Sequence, residues 1–371
     1  MSKFQEALSR LKKNKEIREA GKQVCIPYPF PKLCELLPGV EKGQHIGITA
    51  GTGISKSKFT RYVFIYHVYR YVKANPNCGI KPVIFYFLLE DPAVRVMNNM
   101  ICHRLNEEYK IDITLQQLES KSTVLTDEVL AKIEDCKEYF ADFEKYVKLI
   151  DNIHNPYGIY KEVRDYFTTN GTIEYETREG EHKEKLEIPK SYIPKDPEVH
   201  VIVIVDNLSN INKEEKHKDQ WSAIGEWTSK YARRLLCKFF NATVVSIQQQ
   251  DLESQKLAFS AYQGEAIKGK VKPSIASLGD NKTVSRDYHI LFGIFSPDRF
   301  EFEEDLGYDI TLLQNNYRNL SIIKSNESDS GHELGLYFNG ASEKFMELPS
   351  SKTEPRELQQ FYNNFRTKYK K

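Results

Sequence analysis

The chain has 371 residues and a formal net charge of +1 at pH 7, so it is long enough for one large α/β domain and is not coated with basic surface. Hydrophobic residues make up 40% of it, which excludes a disordered tail. Its apolar runs are too short to cross a bilayer, and its N-terminus lacks the apolar stretch of a signal peptide. Its six cysteines have neither metal-ligand nor disulfide spacing. We therefore expect a soluble, cytoplasmic protein.

The N-terminal segment predicts an amphipathic helix followed by an extended linker. Phe4, Leu8 and Leu11 recur at helical spacing among charged residues. The proline-rich stretch 26–31 cannot continue a helix. The helix either packs on its own domain or docks as an arm on a neighbouring subunit, and composition does not decide between the two. Residues 1–30 are thus interpreted as a helix and a linker.

Alternating strand and helix patterns begin at Gln44. Short β-branched and aromatic runs predict strands at 45–49, 82–87, 147–150, 200–205 and 242–247. Helical patterns lie between them at 59–72, 93–109, 126–146 and 221–240. Near-continuous apolar strands separated by helices predict a mostly parallel sheet covered on both faces. Later strands are predicted at 288–295, 320–324 and 333–338.

Two segments interrupt or follow this pattern. Residues 171–188 alternate apolar and charged side chains around a central Gly, which predicts a solvated β-hairpin inserted into the core. We assign no chemistry to it. The predicted core domain spans residues 31–350, and residues 351–371 form a basic helical tail.

The strongest motif is a loop of small residues between a β-run and a helical pattern. It comprises Ala50, Gly51, Thr52, Gly53, Ile54, Ser55, Lys56 and Ser57. Small residues let backbone N–H groups wrap a polyphosphate, and the following helix N-terminus adds its positive dipole end. Lys56 would reach the β- and γ-phosphates, and Ser57 would ligate Mg²⁺. An ordinary turn before a helix is the alternative interpretation of the loop taken alone.

The loop departs from the full phosphate-binding pattern at two positions. Glycine would be expected where the chain has Ala50 and Ser55. Ser55 is the larger departure, because the residue before the lysine commonly needs a backbone conformation that is easiest for glycine.

Three polar residues end neighbouring strands of the predicted sheet. Asp206 follows an apolar run, where an acid could orient the shell of Mg²⁺. Glu90 would lie at the same carboxyl edge, where it could polarise the water that attacks a γ-phosphate, or it could simply cap the next helix. Gln248 occupies the corresponding edge of another strand, where an amide can sense the γ-phosphate.

The order of these motifs resembles the RecA-like motor domain of replicative DnaB-type helicases, ring-shaped ATPases that move on single-stranded DNA. The phosphate loop is followed by Phe87-Leu-Leu-Glu90, Ile204-Val-Asp206 and Val245-Ser-Ile-Gln248. The resemblance covers residues 31–348 apart from the hairpin. The chain lacks a separate N-terminal domain, which resembles the compact forms that phages and mobile elements encode.

The resemblance implies a RecA-like P-loop NTPase core, a mostly parallel twisted sheet with helices on both faces. It also implies roles for individual residues in the hydrolysis of ATP. The residues that would carry nucleotide binding, Mg²⁺ binding, base catalysis and γ-phosphate sensing are, in that order, Lys56, Ser57 with Asp206, Glu90, and Gln248.

The family also supplies a lysine and an arginine finger from the next subunit. Lys324 matches the lysine, but Asn326 stands where the arginine is expected. An arginine finger stabilises transition-state charge, which an asparagine cannot do. Arg318 and Arg286 are nearby in sequence and are candidate substitutes. Slow or absent turnover with retained nucleotide binding is therefore an open alternative.

The family binds single strands through loops that face the channel of the ring. The corresponding segments are 208–220 and 251–273. The lysines that could contact backbone phosphates are Lys213, Lys216, Lys218, Lys268, Lys270 and Lys272. Lysines on a solvated surface would give the same pattern.

The sequence thus predicts an ATP·Mg²⁺-dependent DNA helicase or translocase that acts as a ring, most simply a hexamer, on single-stranded DNA. The resemblance adds primase or other replication proteins as partners, no membrane, and a bacterial or phage-infected cytoplasm. The alternatives are an ATP-binding loader or assembly factor with weak hydrolysis, a recombinase-type filament and a small-molecule phosphotransferase.

Overall fold

The computed structural model describes residues 2–179, 185–250, 271–278 and 282–369. Its first elements are α1 (Lys3–Glu19), β1 (Ile26–Pro27), α2 (Pro31–Leu36), β2 (Gly39–Val40), β3 (His45–Ala50), α3 (Lys56–Arg61), a π-helical segment (Tyr62–Tyr66), α4 (His67–Ala74), β4 (Lys81–Leu88), α5 (Ala93–Tyr109), α6 (Leu115–Leu118), α7 (Asp127–Asp135), α8 (Lys137–Phe143), β5 (Val147–Ile150) and α9 (Pro156–Thr169).

The second half of the chain alternates longer strands with short helical turns. Its elements are β6 (Gly171–Glu179), β7 (Lys185–Pro194), β8 (Val199–Asp206), a 3₁₀ turn (Leu208–Asn210), α10 (Gln220–Glu226), a π-helical segment (Trp227–Phe239), β9 (Thr243–Gln249), a 3₁₀ turn (Lys282–Arg286), β10 (Ile290–Phe295), a 3₁₀ turn (Pro297–Phe300), β11 (Glu304–Asp305), β12 (Tyr308–Asp309), α11 (Ile310–Leu313), a 3₁₀ turn (Gln314–Asn316), β13 (Tyr317–Ser325), β14 (Glu333–Asn339), β15 (Lys344–Glu347) and α12 (Pro355–Tyr369).

The central sheet contains nine strands within the described ranges, in the order β15-β14-β13-β10-β3-β9-β8-β4-β5. The six strands from β10 to β5 run parallel. β13, β14 and β15 extend the sheet in antiparallel fashion. This mixed, mostly parallel sheet with helices confirms the predicted fold class.

Each face of the sheet carries its own apolar core, because side chains alternate along a strand. On one face, Ile48 of β3 and Ile247 of β9 pack with Phe59 of α3. On the other face, Val244 of β9 packs with Trp227 of the second π-helical segment. The pleat therefore decides which residues of each strand lie on the side of α3.

The proline-rich segment is part of the core rather than a linker, which corrects the prediction for residues 26–30. Ile26, Tyr28 and Phe30 are buried, and β1 pairs with β2. In an extended chain alternate residues point to the same side. These three apolar side chains therefore reach the core together, and the Tyr28 ring meets Phe292 edge-to-face at 5.8 Å.

α1 differs from the packed helix that is one of its two sequence interpretations. It has no buried residue among those described, and Phe4 and Leu11 are 74% and 67% exposed. A capping box on Ser2 begins the helix. Of the two predicted possibilities, packing on its own domain is not observed.

Three further segments differ from their predicted bounds. The hairpin of β6 and β7 continues to Pro194, beyond the predicted end at residue 188. The predicted tail forms α12, whose Leu358 and Phe365 pack into an apolar cluster with Tyr317. None of the described helices combines the length and the apolar composition that a membrane span requires.

Candidate nucleotide-binding site

The polar residues singled out in the sequence follow strands whose carboxyl ends share one edge of the sheet. The loop after β3 lies between the ends of β9 and β10, because Ala50 pairs with Gln249 and with Ile294. Leu88, near the end of β4, pairs with Asp206 at the end of β8. The crevice beyond the carboxyl ends of parallel strands is the usual ligand site of such sheets.

The loop between β3 and α3 contains the strained backbone that the sequence predicts. Ser55 has φ +79°, a left-handed conformation that costs a non-glycine residue about 1 kcal/mol. Gly53 also has a positive φ, of +68°. Arg318 supports this turn from β13, because its guanidinium donates to the Ile54 carbonyl at 3.3 Å and to Ser55 Oγ at 3.5 Å. Tertiary contacts thus hold Ser55 in a conformation that glycine would adopt freely.

Lys56 lies inside the loop and contacts its backbone. Its Nζ donates to the carbonyls of Ala50 at 3.2 Å and Gly51 at 3.1 Å. Burial lowers the pKa of Lys56 to about 8, against the opposing effect of Asp206 and Glu90. The ammonium group is therefore held at the mouth of the loop, where the sequence predicts phosphate binding.

Ser57 and Asp206 come together in the structure, although they are far apart in sequence. Ser57 Oγ donates to Asp206 Oδ1 at 3.1 Å, and the Tyr86 hydroxyl donates to Asp206 Oδ2 at 2.7 Å. Burial raises the pKa of Asp206, while these two hydrogen bonds and the nearby Arg61 oppose the rise. A hydroxyl and a carboxylate are oxygen donors of the kind that Mg²⁺ prefers, so this pair fits the predicted metal.

Glu90 lines the same small cavity as Ser57 and Asp206, which has a volume of about 60 Å³. Its carboxylate is exposed and accepts a hydrogen bond from Asn207 Nδ2 at 3.4 Å. Asn207 was not singled out in the sequence, because one asparagine after a strand carries no motif. An exposed carboxylate in this cavity can reach a water molecule on the open side of the site.

The amide that contacts the phosphate loop is Gln249, not Gln248 as predicted. Gln248 is fully buried and lies on the face of Trp227, where the Tyr288 hydroxyl donates to its Oε1 at 3.4 Å. Gln249 lies on the face of α3, and its Nε2 donates to Thr52 Oγ1 in the loop. A shift of one residue along a strand exchanges the two faces.

Arg299 is a loop contact that the sequence interpretation missed. It follows β10 in a 3₁₀ turn, and its guanidinium donates to the carbonyls of Thr52 and of Gly53, the latter at 2.9 Å. A Cβ on Gly53 would lie 2.8 Å from Arg299 Nη2, so glycine is needed for this approach. The candidate finger Arg318 is 1% exposed and bound within its own chain.

Lys324 lies at the opposite edge of the sheet from the phosphate loop. It pairs with Leu291 at the start of β10, and its Nζ donates to the carbonyls of Ser285 at 2.9 Å and Tyr288 at 2.7 Å. Asn326 follows it on an exposed turn. Neither side chain can therefore reach the phosphate loop of its own chain.

The predicted DNA-contacting lysines fall into three groups. Lys213 and Lys218 are exposed on the loop after β8. Lys216 forms ion pairs with Glu214 and Glu226, both at 2.8 Å, and Lys272 pairs with Glu333 at 2.7 Å. Lys268 and Lys270 lie outside the described residues.

The loop after β8 also contains a cluster of possible metal ligands formed by Glu214, His217 and Glu226. Their groups are already paired with one another and with lysines. His217 Nε2 lies 2.7 Å from Glu226 Oε2, and Lys230 Nζ lies 2.7 Å from Glu226 Oε1. These ion pairs fasten the loop to α10, and we assign no metal to it.

Comparisons with known proteins rest on structure alone. No protein-family model and no curated protein sequence matches the chain. The solved ATPase domain of one helicase superimposes with a TM-score of 0.67 at 14% identity, over 94% of this chain and 99% of that domain. A DnaB-like replicative helicase, solved in a study of its interactions with primase, gives 0.63 at 14% identity over 93% of this chain and 67% of that protein.

These neighbours agree with the resemblance that the order of the motifs predicts. Both cover nearly the whole described chain, including the sheet edge with the phosphate loop. At such low identity a likeness establishes the fold and not the activity. The chain therefore has the RecA-like P-loop ATPase fold of DnaB-type helicase motor domains.

Proposed function

We propose that the chain is an ATP-driven helicase or translocase of the DnaB type that acts on single-stranded DNA as a ring. The observation that carries this proposal is the contact of Ser57 with Asp206 at 3.1 Å, one residue from the lysine of the phosphate loop. A triphosphate-binding loop, a hydroxyl and a carboxylate are the parts that ATP·Mg²⁺ requires.

The residues of the edge divide the work of hydrolysis. Lys56 and the loop amides bind the phosphates, Ser57 and Asp206 hold Mg²⁺, and Glu90 orients the attacking water as general base. Bound Mg²⁺ would neutralise developing charge on the phosphate oxygens. The exposed position of Glu90 beside the buried acid supports this division, because the base must meet water while the metal ligand is enclosed.

Gln249 takes the sensing role that the sequence interpretation gave to Gln248. Its amide contacts Thr52 in the loop at the end of β9, directly before segment 251–273, which the resemblance assigns to DNA binding. A change of its partner from Thr52 to a phosphate oxygen would alter the start of that segment. Gln249 would in this way link nucleotide state to DNA contact.

Ring assembly is supported by two features on different parts of the chain. The apolar stripe of α1 has no buried member among the described residues, and we propose that it docks on a second copy. Lys324 lies at the sheet edge opposite the phosphate loop, so it can act only on the nucleotide of another subunit. Primase or other replication proteins remain proposed further partners.

For DNA contact we favour Lys213 and Lys218 over the other described lysines. Both are exposed, whereas Lys216 and Lys272 are engaged in ion pairs within the chain. Contacts from mobile ammonium groups to backbone phosphates would bind single strands without reading their sequence.

One observation favours a second candidate, an ATP-binding loader or assembly factor with weak hydrolysis. Asn326 occupies the finger position, and Arg318 is buried against its own loop. With no arginine delivered from the neighbouring subunit, transition-state charge would be less stabilised and turnover slower.

The rate of ATP hydrolysis with and without single-stranded DNA separates these functions. A motor is stimulated by DNA and forms a nucleotide-dependent ring whose mass light scattering can measure. A loader binds ATP and assembles, but its rate does not respond to DNA. Glu90→Gln serves as the control for hydrolysis by a contaminant. No response to DNA combined with a monomeric mass would contradict the motor.

A further inference from the structure

We propose that Tyr86 is a positioning residue for Mg²⁺ binding, which fixes the orientation of the Asp206 carboxylate and is itself oriented by a buried Arg61–Glu343 ion pair. This inference rests on the proposed function, because it concerns the metal that accompanies the nucleotide. Nothing in the phosphate-loop motif predicts it, since a tyrosine within an apolar strand is typical of ordinary core.

The hydrogen bonds of this network have only one possible direction. Arg61 has only donors, and it donates through Nε and Nη2 to Glu343 at 2.8 Å and 2.5 Å, and through Nη1 to the Tyr86 oxygen at 3.2 Å. The phenol proton is therefore free to donate to Asp206 Oδ2, at 2.7 Å. The arginine in this way aims the tyrosine hydroxyl at the acid.

Asp206 is consequently held at both carboxylate oxygens from the same helix. Ser57 and Arg61 lie four residues apart on α3, so their side chains project from one face of the helix. Ser57 reaches Oδ1 directly, and Arg61 reaches Oδ2 through Tyr86. Two fixed hydrogen bonds leave the carboxylate a single orientation, as metal-binding acids require of their supporting residues.

Burial and cavity shape place the network in the site rather than elsewhere in the core. Tyr86 and Glu343 are 0% exposed and Arg61 is 3% exposed. Tyr86 and Arg61 line the same cavity as Glu90, Ser57 and Asp206. A buried ion pair contributes little to stability compared with apolar packing, so its position against the acid agrees with a role in orientation.

The matched pair Tyr86→Phe and Tyr69→Phe tests this role. Tyr69 is also buried and donates to an aspartate, Asp142, at 2.7 Å, but this pair lies away from Asp206. Each variant removes one hydroxyl and keeps the ring, and circular dichroism would check that each remains folded.

The measurement is calorimetric binding of a non-hydrolysable ATP analogue over a series of Mg²⁺ concentrations, repeated in EDTA. For Tyr86→Phe we expect the Mg²⁺ concentration at half-maximal binding to rise about tenfold, which is the loss of one hydrogen bond to a charged group. Binding in EDTA and the behaviour of Tyr69→Phe should match the parent. The spectrum of bound Mn²⁺ would broaden in Tyr86→Phe alone.

Unchanged Mg²⁺ dependence in Tyr86→Phe, or an equal change in both variants, would overturn the inference. A loss of binding in EDTA would also overturn it, since that would indicate general damage to the loop. If the parent bound the analogue with no dependence on Mg²⁺, the proposed function would fail first. Normal Mg²⁺ dependence in the parent and in Tyr86→Phe would remove only the role of Tyr86.

Discussion

At the residue scale, the two neighbouring glutamines at the end of β9 have opposite surroundings. Gln249 contacts the phosphate loop, and Gln248 is buried against Tyr288. We expect Gln249→Ala to keep its stability and ATP affinity but to lose most of the stimulation of ATP hydrolysis by DNA. Gln248→Ala should instead lower the free energy of unfolding by about 1–3 kcal/mol, because it leaves buried partners unsatisfied.

Steady-state ATPase assays with and without single-stranded DNA, together with urea unfolding, check both variants. Gln248→Leu is a useful control, because it fills the same volume without the amide. If Gln248→Ala lost the DNA response while Gln249→Ala kept it, the original sequence assignment would be correct and the structural one wrong.

Residue-scale roles could be predicted from sequence where a motif fixes them and not where a pleat does. The phosphate loop identifies Lys56 and Ser57 through spacing alone. The face on which Gln248 lies depends on the register of β9, which is visible only in the sheet. Arg299 and Tyr86 carry no motif, and only their contacts reveal them.

At the element scale, the turn from β3 into α3 stores backbone strain at Ser55. A Cβ at φ +79° is unfavourable, whereas glycine is not strained there. We therefore expect Ser55→Gly to be more stable than Ser55→Ala by about 1 kcal/mol, since both lack the hydroxyl and only the alanine keeps the strain. Urea unfolding midpoints of the two variants would measure the difference. Equal midpoints would show that the turn relaxes around a side chain.

Elements with a strong period were predicted well, and those that begin with proline were not. α5 has the predicted bounds 93–109, and the strands of the parallel sheet lie within a few residues of their predicted positions. α9 was missed because Pro156 and Gly158 disfavour a helix interior, although proline is common at the first helical position. The segment 26–30 was misread as a linker because its apolar residues alternate with proline.

At the scale of the whole molecule, buried histidines make the fold sensitive to acid. His200 donates or accepts at 2.7 Å with Thr243 Oγ1, and burial lowers its pKa to about 3. Below pH 6.5 the unfolded chain takes up a proton that folded His200 does not. The contribution of His200 to stability is therefore lost as the pH falls from about 6.5 towards 3.

We expect His200→Gln to show a weaker dependence of stability on pH than the parent between pH 6.5 and 4. The difference should approach about 1.4 kcal/mol per pH unit. Urea unfolding at a series of pH values measures it, and taking the difference between the two proteins cancels the other titrating groups. Parallel curves for parent and variant would contradict a neutral buried His200.

Assembly is the second property of the whole molecule, and α1 offers a direct test. Leu11 is 67% exposed on a helix that packs on none of the described core. We expect Leu11→Glu to leave the thermal midpoint of the monomer unchanged and to weaken nucleotide-dependent assembly at least tenfold. Light scattering would measure the mass, with Lys12→Glu as the control on the same helix. Normal assembly of Leu11→Glu would remove α1 from the interface.

The central claim is that the loop from Ala50 to Ser57 binds a magnesium-bound triphosphate. Titration calorimetry of the parent, Lys56→Ala and Glu90→Gln with ATP and Mg²⁺ tests it most directly. We predict binding to the parent and to Glu90→Gln, no detectable binding to Lys56→Ala, and hydrolysis by the parent alone. Equal binding by Lys56→Ala, or no binding by any of the three proteins, would contradict the account.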